Sequence, residues 1–102
     1  MQTANLLIKG KVQGVFFRTA AKEAADRIGV TGWVKYIAGE RVEAMATGNE
    51  EQLQRFIEWC RQGPEKAIVT DVIVTPLAEQ QFDDFTIIHG TAIEDDLYSG
   101  WP

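Results

Sequence analysis

Residues 10–18, Gly-Lys-Val-Gln-Gly-Val-Phe-Phe-Arg, carry the most suggestive chemistry in the chain. They leave a strand-like run and enter a helix-like run. The unsatisfied backbone N–H groups of a helix start, with the positive end of its dipole, then converge on one spot. Gly14 lets the backbone turn tightly and come close to a ligand. Arg18 stands where its guanidinium can join those amides and grip a tetrahedral anion with two parallel hydrogen bonds. A plain turn followed by a solvated arginine fits the same letters equally well. The segment is not a nucleotide-binding P-loop, because it lacks both the length and the Lys-Ser/Thr pair.

Other constellations are thin. A single histidine, His89, leaves no Ser-His-Asp set to assemble and reads as a strand-end residue. Together with a single cysteine, Cys60, it offers little material for a zinc site, and no internal disulfide can form. Cys60 falls on the apolar stripe of a helical segment and reads as a small core hydrophobe. Phe16, Phe17 and Trp33 could form a ligand platform, but large aromatics dominate core burial, so core or core-edge positions are expected. Trp59 lies one position off the same helical stripe and should pack at its margin.

The loop needs elements to hold it. Residues 5–12 alternate apolar and polar and predict a strand. From Thr19 to Ile28, Ala20, Ala21, Ala24, Ala25 and Ile28 recur at helical spacing, and Gly29 is a natural stop. Residues 32–38 and 41–47 predict two strands joined by Gly39-Glu40, read as a two-residue type II′ turn. Asn49 and Gln52 make a capping-box pattern, and Leu53, Phe56, Ile57 and Cys60 follow at i, i+3, i+4 and i+7 up to Gly63-Pro64. Residues 67–75 predict a strand closed by Pro76, and residues 85–89 a short last strand. The order βαββαβ, with a short extra C-terminal strand, predicts an α+β sandwich of the ferredoxin-like kind. Its sheet is mainly antiparallel and both helices lie on one face.

Composition sets the outer limits. The chain has 102 residues, 45% of them hydrophobic, enough for one core. No apolar run approaches the ~18 residues of a membrane span, and no secretory signal pattern opens the chain, so a cytoplasmic protein is expected. The net charge of −5 argues against binding nucleic acid through its phosphates. All ten Lys and Arg fall within residues 1–66, so an anion site belongs there. Residues 91–102 read as an acidic tail, partly disordered, in which Tyr98 and Trp101 are free to pack back or to contact a second subunit.

The motifs GKVQGVFFR, GVTGWVKY and RVEAMATG, followed by NEEQLQRFIEWCRQGP, AIVTDV and a final FTI, closely resemble the acylphosphatase family over roughly residues 5–88. The resemblance implies an acylphosphatase-like domain over residues 1–90. It implies hydrolysis of acyl phosphates to a carboxylate and inorganic phosphate, without metal or organic cofactor. It also implies that the backbone N–H groups of Gln13, Gly14, Val15, Phe16, Phe17 and Arg18 cradle the phosphate, with Arg18 as the catalytic arginine. The partner is then a small acyl phosphate or inorganic phosphate; charge and hydropathy already set aside nucleic acid and membrane, and a monomer is expected.

One departure matters. After Gly-Trp-Val the family has a basic residue and then an Asn that positions the attacking water; this chain has Lys35 and then Tyr36. A rigid ring ending in a phenol cannot put its oxygen where a short amide would. Three outcomes stand open: the phenol holds the water from a shifted place, the anion site survives with reduced turnover, or the ring blocks the loop. Neither Asn5 nor Asn49 stands ready as a substitute. Tyr36 is therefore a second candidate catalytic residue and also the feature favouring the alternative function, a module that binds phosphate or carbamoyl phosphate without turnover. A milder departure is Gly39-Glu40 where the family commonly has Asp-Gly. RNA binding, loosely echoed by KGKVQGVFF, is disfavoured because the echo falls on a loop and the acidic balance opposes it.

Overall fold

The computed structural model describes residues 1–89; the expectations for residues 90–102, including Tyr98 and Trp101, lie outside the described residues. The elements run β1 (Gln2–Lys11), α1 (Phe17–Ile28), β2 (Thr31–Ile37), β3 (Arg41–Gly48), α2 (Glu50–Gln62), β4 (Ile68–Leu77) and β5 (Phe85–Ile88). The five strands form one sheet in the order β4-β1-β3-β2-β5. β2 and β5 pair in parallel, and the other neighbours are antiparallel. The expected ferredoxin-like architecture is present.

The period of two decides which face is covered. Ala4, Leu6 and Ile8 of β1, Val34 of β2, Val42, Ala44 and Ala46 of β3, Val72 of β4 and Phe85 of β5 all turn inward and are buried. They meet Phe17, Ala21 and Ala25 of α1 and Leu53, Phe56, Ile57 and Cys60 of α2 in one core. Phe56 packs edge-on against Phe85, with ring centroids 5.4 Å apart. Trp59 sits at the margin, as its offset from the stripe implies, 5.4 Å from the Phe17 ring. Trp33 departs from expectation: it is partly buried but lies beside Met45 on the helix-free face, with Lys35 Nζ 5.0 Å from its ring centroid.

The second helix forms as its letters dictate. Asn49 Oδ1 accepts from the Gln52 amide at 2.8 Å, and Gln52 Oε1 accepts from the Asn49 amide at 2.9 Å. This reciprocal box satisfies two otherwise orphaned donors. Cys60 is fully buried, and desolvation pushes its thiol pKa far up, so it packs as a hydrophobe.

Two turn expectations need correction. The β2–β3 register pairs Ile37 with Arg41 and leaves Ala38, Gly39 and Glu40 in the connection, with Gly39 and Glu40 both at positive φ (84° and 55°). A type II′ turn has positive φ only at its first central residue. Burial parity explains the odd loop length. Val34 faces Ala44 on the core side, and a two-residue loop would shift the pairing by one and turn one strand's apolar set outward. Pro76 also does not close its strand; it lies within β4 opposite Ala4. β4 is an edge strand, where a residue without an N–H is tolerated.

Candidate active site

Residues 12–16 connect β1 to α1, and two buried side chains pin them. Val12 and Phe17 are both fully buried, so the loop between them is held at each end by the core. Gly14 adopts φ 74°, and a Cβ built there would meet nothing within 4 Å. Glycine is needed there for its backbone angle, with space to spare. Gln13 Nε2 donates to the carbonyls of Ile37 (2.9 Å) and Arg41 (3.0 Å), tying the loop to the β2–β3 connection.

Phe16 caps α1 in the left-handed region, φ 62° and ψ 31°, with no side-chain capping bond. Its carbonyl accepts the first helical hydrogen bond from Ala20 at 3.0 Å, so α1 begins two residues before the apolar period alone indicates. Among the described residues, no backbone carbonyl accepts from the amides of residues 13–19. Four residues of this segment, Gly14, Phe16, Arg18 and Thr19, line a cavity of about 300 Å³ together with Tyr36.

Among the described residues, Arg18 is held without being neutralised. Its guanidinium carbon lies 3.9 Å from the Tyr36 ring centroid, and Nη1 donates to the Ile88 carbonyl at 3.3 Å. It forms no ion pair among the described residues. The charge therefore stays available to a ligand, while a π face and a carbonyl restrict where the head can go. Tyr36 reaches this place because it follows Gly32 and Val34 on the helix side of β2, near the strand's end. Ile88 reaches it because β5 runs parallel to β2 along the far edge. A second tie, Lys22 Nζ to the Phe85 carbonyl at 2.8 Å, fastens α1 to that strand.

The sequence-predicted residues thus separate. Gly14, Phe16, Arg18 and Tyr36 share the cavity. The Gln13 side chain turns to the hairpin, Val15 packs on the core, and Phe17 is buried within it, leaving those three only their main-chain groups for a ligand. Phe16 contradicts the expected core position: it is 78% exposed, because the left-handed cap that buries Phe17 swings its neighbour outward. Thr19 and the Ile88 carbonyl were missed. A hydroxyl in the first helical turn was a usable signal for Thr19, whereas nothing local in the letters marks a carbonyl on a strand 70 residues away. Asn5 and Asn49 are committed elsewhere, to Glu43 at 2.9 Å and to the α2 cap.

Comparison with known proteins decides the family. The acylphosphatase profile matches residues 4–87. The chain belongs to the acylphosphatase family. The acylphosphatase of Marinobacter nauticus is 44% identical over 86 residues, covering 83% of this chain and 94% of that protein. The acylphosphatase of Syntrophus aciditrophicus is 42% identical over 90 residues, covering 87% and 94%. The crystal structure of acylphosphatase from Bacillus subtilis superposes with a TM-score of 0.83 at 36% identity, over 87% of this chain and all of that one. The acylphosphatase fold accounts for the strand order, and the cavity at the start of α1 is this chain's candidate acylphosphatase site. No helix among the described residues is long and apolar enough to cross a membrane.

Proposed function

We propose that this chain hydrolyses acyl phosphates at the cavity formed by residues 13–19, Arg18 and Tyr36. The phosphoryl group lies against the open amides with its charge matched by the Arg18 guanidinium. The oxygen of a water forms a bond to phosphorus on the side opposite the acyl oxygen. The P–O bond to the acyl group breaks, its electron pair leaves on the carboxylate, and the water's protons pass to phosphate and solvent. The departing carboxylate is weakly basic and needs little acid assistance, so positioning and charge stabilisation make up most of the catalysis.

The observation that carries this reading is an arginine beside amides that donate to no backbone carbonyl, oriented by a ring and a carbonyl and, among the described residues, paired with no carboxylate. Tyr36 is proposed as a positioning residue: its ring supports the guanidinium, and the absence of a short amide at that place reduces turnover. Tyr36 also favours a second reading, a module that binds phosphate or carbamoyl phosphate without turnover.

The test is steady-state hydrolysis of acetyl phosphate by the native chain and by Arg18→Ala, with thermal melts in added inorganic phosphate. Hydrolysis that falls at least ~100-fold in the variant is expected, together with a phosphate-dependent rise in Tm that the variant lacks. A Tm rise without hydrolysis selects the binding module. The absence of both hydrolysis and a Tm rise would overturn both readings.

A further inference from the structure

Hydrolysis needs a water held opposite the acyl oxygen, with a lone pair aimed at phosphorus. An O–H of that water must then point to an acceptor. The open amides and the Arg18 guanidinium are donors only, and their partners are the phosphoryl oxygens. We propose that the Thr19 hydroxyl is the acceptor that holds the attacking water; the inference rests on the acyl-phosphate reading. Among the side chains lining the cavity, Gly14 and Phe16 carry no polar atom and Arg18 accepts nothing, so the choice falls between Thr19 and Tyr36.

Thr19 stands in the first turn of α1, next to Arg18. Helical side chains lean toward the N-terminus, here toward the loop amides. Thr19 is exposed, and among the described residues its hydroxyl makes no hydrogen bond. Even the bond to a carbonyl three or four residues back, which a helical threonine can form, is not made. Branching at Cβ leaves few rotamers, so the oxygen is confined to a small region beside the amides. The Tyr36 ring, by contrast, carries the Arg18 guanidinium carbon 3.9 Å from its centroid. A phenol oxygen already shares a lone pair with its ring, and a cation on the ring face draws that density further away. It is the weaker acceptor of the two. The Thr19 hydroxyl accepts from the water and turns its own proton to a phosphoryl oxygen. It neither gains nor loses a proton, and the water's protons still pass to phosphate and solvent. One hydroxyl holds a water less firmly than an amide, which is donor and acceptor together, in keeping with reduced turnover.

The experiment measures kcat and KM for acetyl phosphate, and inhibition by inorganic phosphate, in the native chain, Thr19→Val, Thr19→Ser and Tyr36→Phe. Valine keeps the branched shape and removes the hydroxyl; serine keeps the hydroxyl and removes the branch. The expected result is a kcat lowered about threefold to tenfold in Thr19→Val, the range of one neutral hydrogen bond. Thr19→Ser regains the native kcat, Tyr36→Phe keeps it, and phosphate inhibits all four proteins alike. A native kcat in Thr19→Val, with or without a fall in Tyr36→Phe, overturns the role of Thr19 and leaves the acyl-phosphate reading standing. An equal fall in Thr19→Val and Thr19→Ser overturns it too, because shape and not the hydroxyl would then matter. Weakened phosphate inhibition in Thr19→Val that matches the fall in kcat would place the hydroxyl on the phosphoryl group, against the proposal. Absence of hydrolysis by the native chain refutes the acyl-phosphate reading itself, and the role of Thr19 with it.

Discussion

Replacing Tyr36 by Asn tests the most unusual residue of the site, because it moves two quantities in opposite directions. The substitution removes a ring centred 3.9 Å from the Arg18 guanidinium carbon. A partly exposed cation–π contact is worth about 0.5–1 kcal/mol, so losing it should weaken the hold on phosphate by a factor of about two to five. The same substitution supplies a short amide, donor and acceptor together, that can orient a water. A single well-aimed group of this kind is worth roughly 100-fold or more in kcat. The net expectation is a KM raised about threefold and a kcat/KM raised about 20-fold or more. The assay is initial-rate hydrolysis of an acyl phosphate, with inorganic phosphate as a competitive inhibitor to report affinity separately. Tyr36→Phe separates ring from phenol. A drop in kcat there comparable to a lost hydrogen bond would mean that the phenol itself handles the water. A kcat/KM for Tyr36→Asn at or below the native value would refute the reasoning, because the ring would then be no handicap.

Two further outcomes follow from the scaffold. Gly32 sits at φ 139° with a Cβ position 1.8 Å from the Met45 carbonyl oxygen; Gly32→Ala combines backbone strain with a main-chain clash, and should cost about 3 kcal/mol or more, lowering Tm by about 12 °C or more in a melt. Cys60 is buried and its thiol pKa is raised by desolvation. The native state then keeps a proton that the unfolded chain releases above about pH 8.5. Its contribution to stability is therefore complete below that pH and is lost as pH rises beyond it. Denaturant titrations at pH 7 and pH 10 should show a steeper alkaline decline for the native chain than for Cys60→Ala; equal slopes would count against this burial.

What the letters reveal depends on whether a feature is local. The capping box at Asn49 and the Leu53-Phe56-Ile57-Cys60 stripe involve neighbours three or four residues apart, and both form as read. The turn at Gly14 and the placement of Arg18 at a helix start are equally local. The three-residue connection at 38–40 was legible in principle: Val34, Val42 and Ala44 share a face, and that parity demands an odd loop. The type II′ reading weighed the dipeptide Gly39-Glu40 and left the register out. Phe16 was misread because two adjacent phenylalanines look alike in composition, yet one backbone angle sends them in opposite directions. The stacking of Arg18 on Tyr36 and its bond to Ile88 join three elements and depend on which strand lies beside which. No periodicity encodes that adjacency.

The parallel strand β5 has a consequence for synthesis. It is the last of the described elements, yet it supplies the carbonyls that receive Arg18 and Lys22 from α1. Without Phe85–Ile88, Lys22 keeps Asp26 and Arg18 keeps the Tyr36 ring, but neither has its strand carbonyl. Arg18 is therefore held from both sides only once β5 has docked beside β2, so the last described strand completes the proposed site.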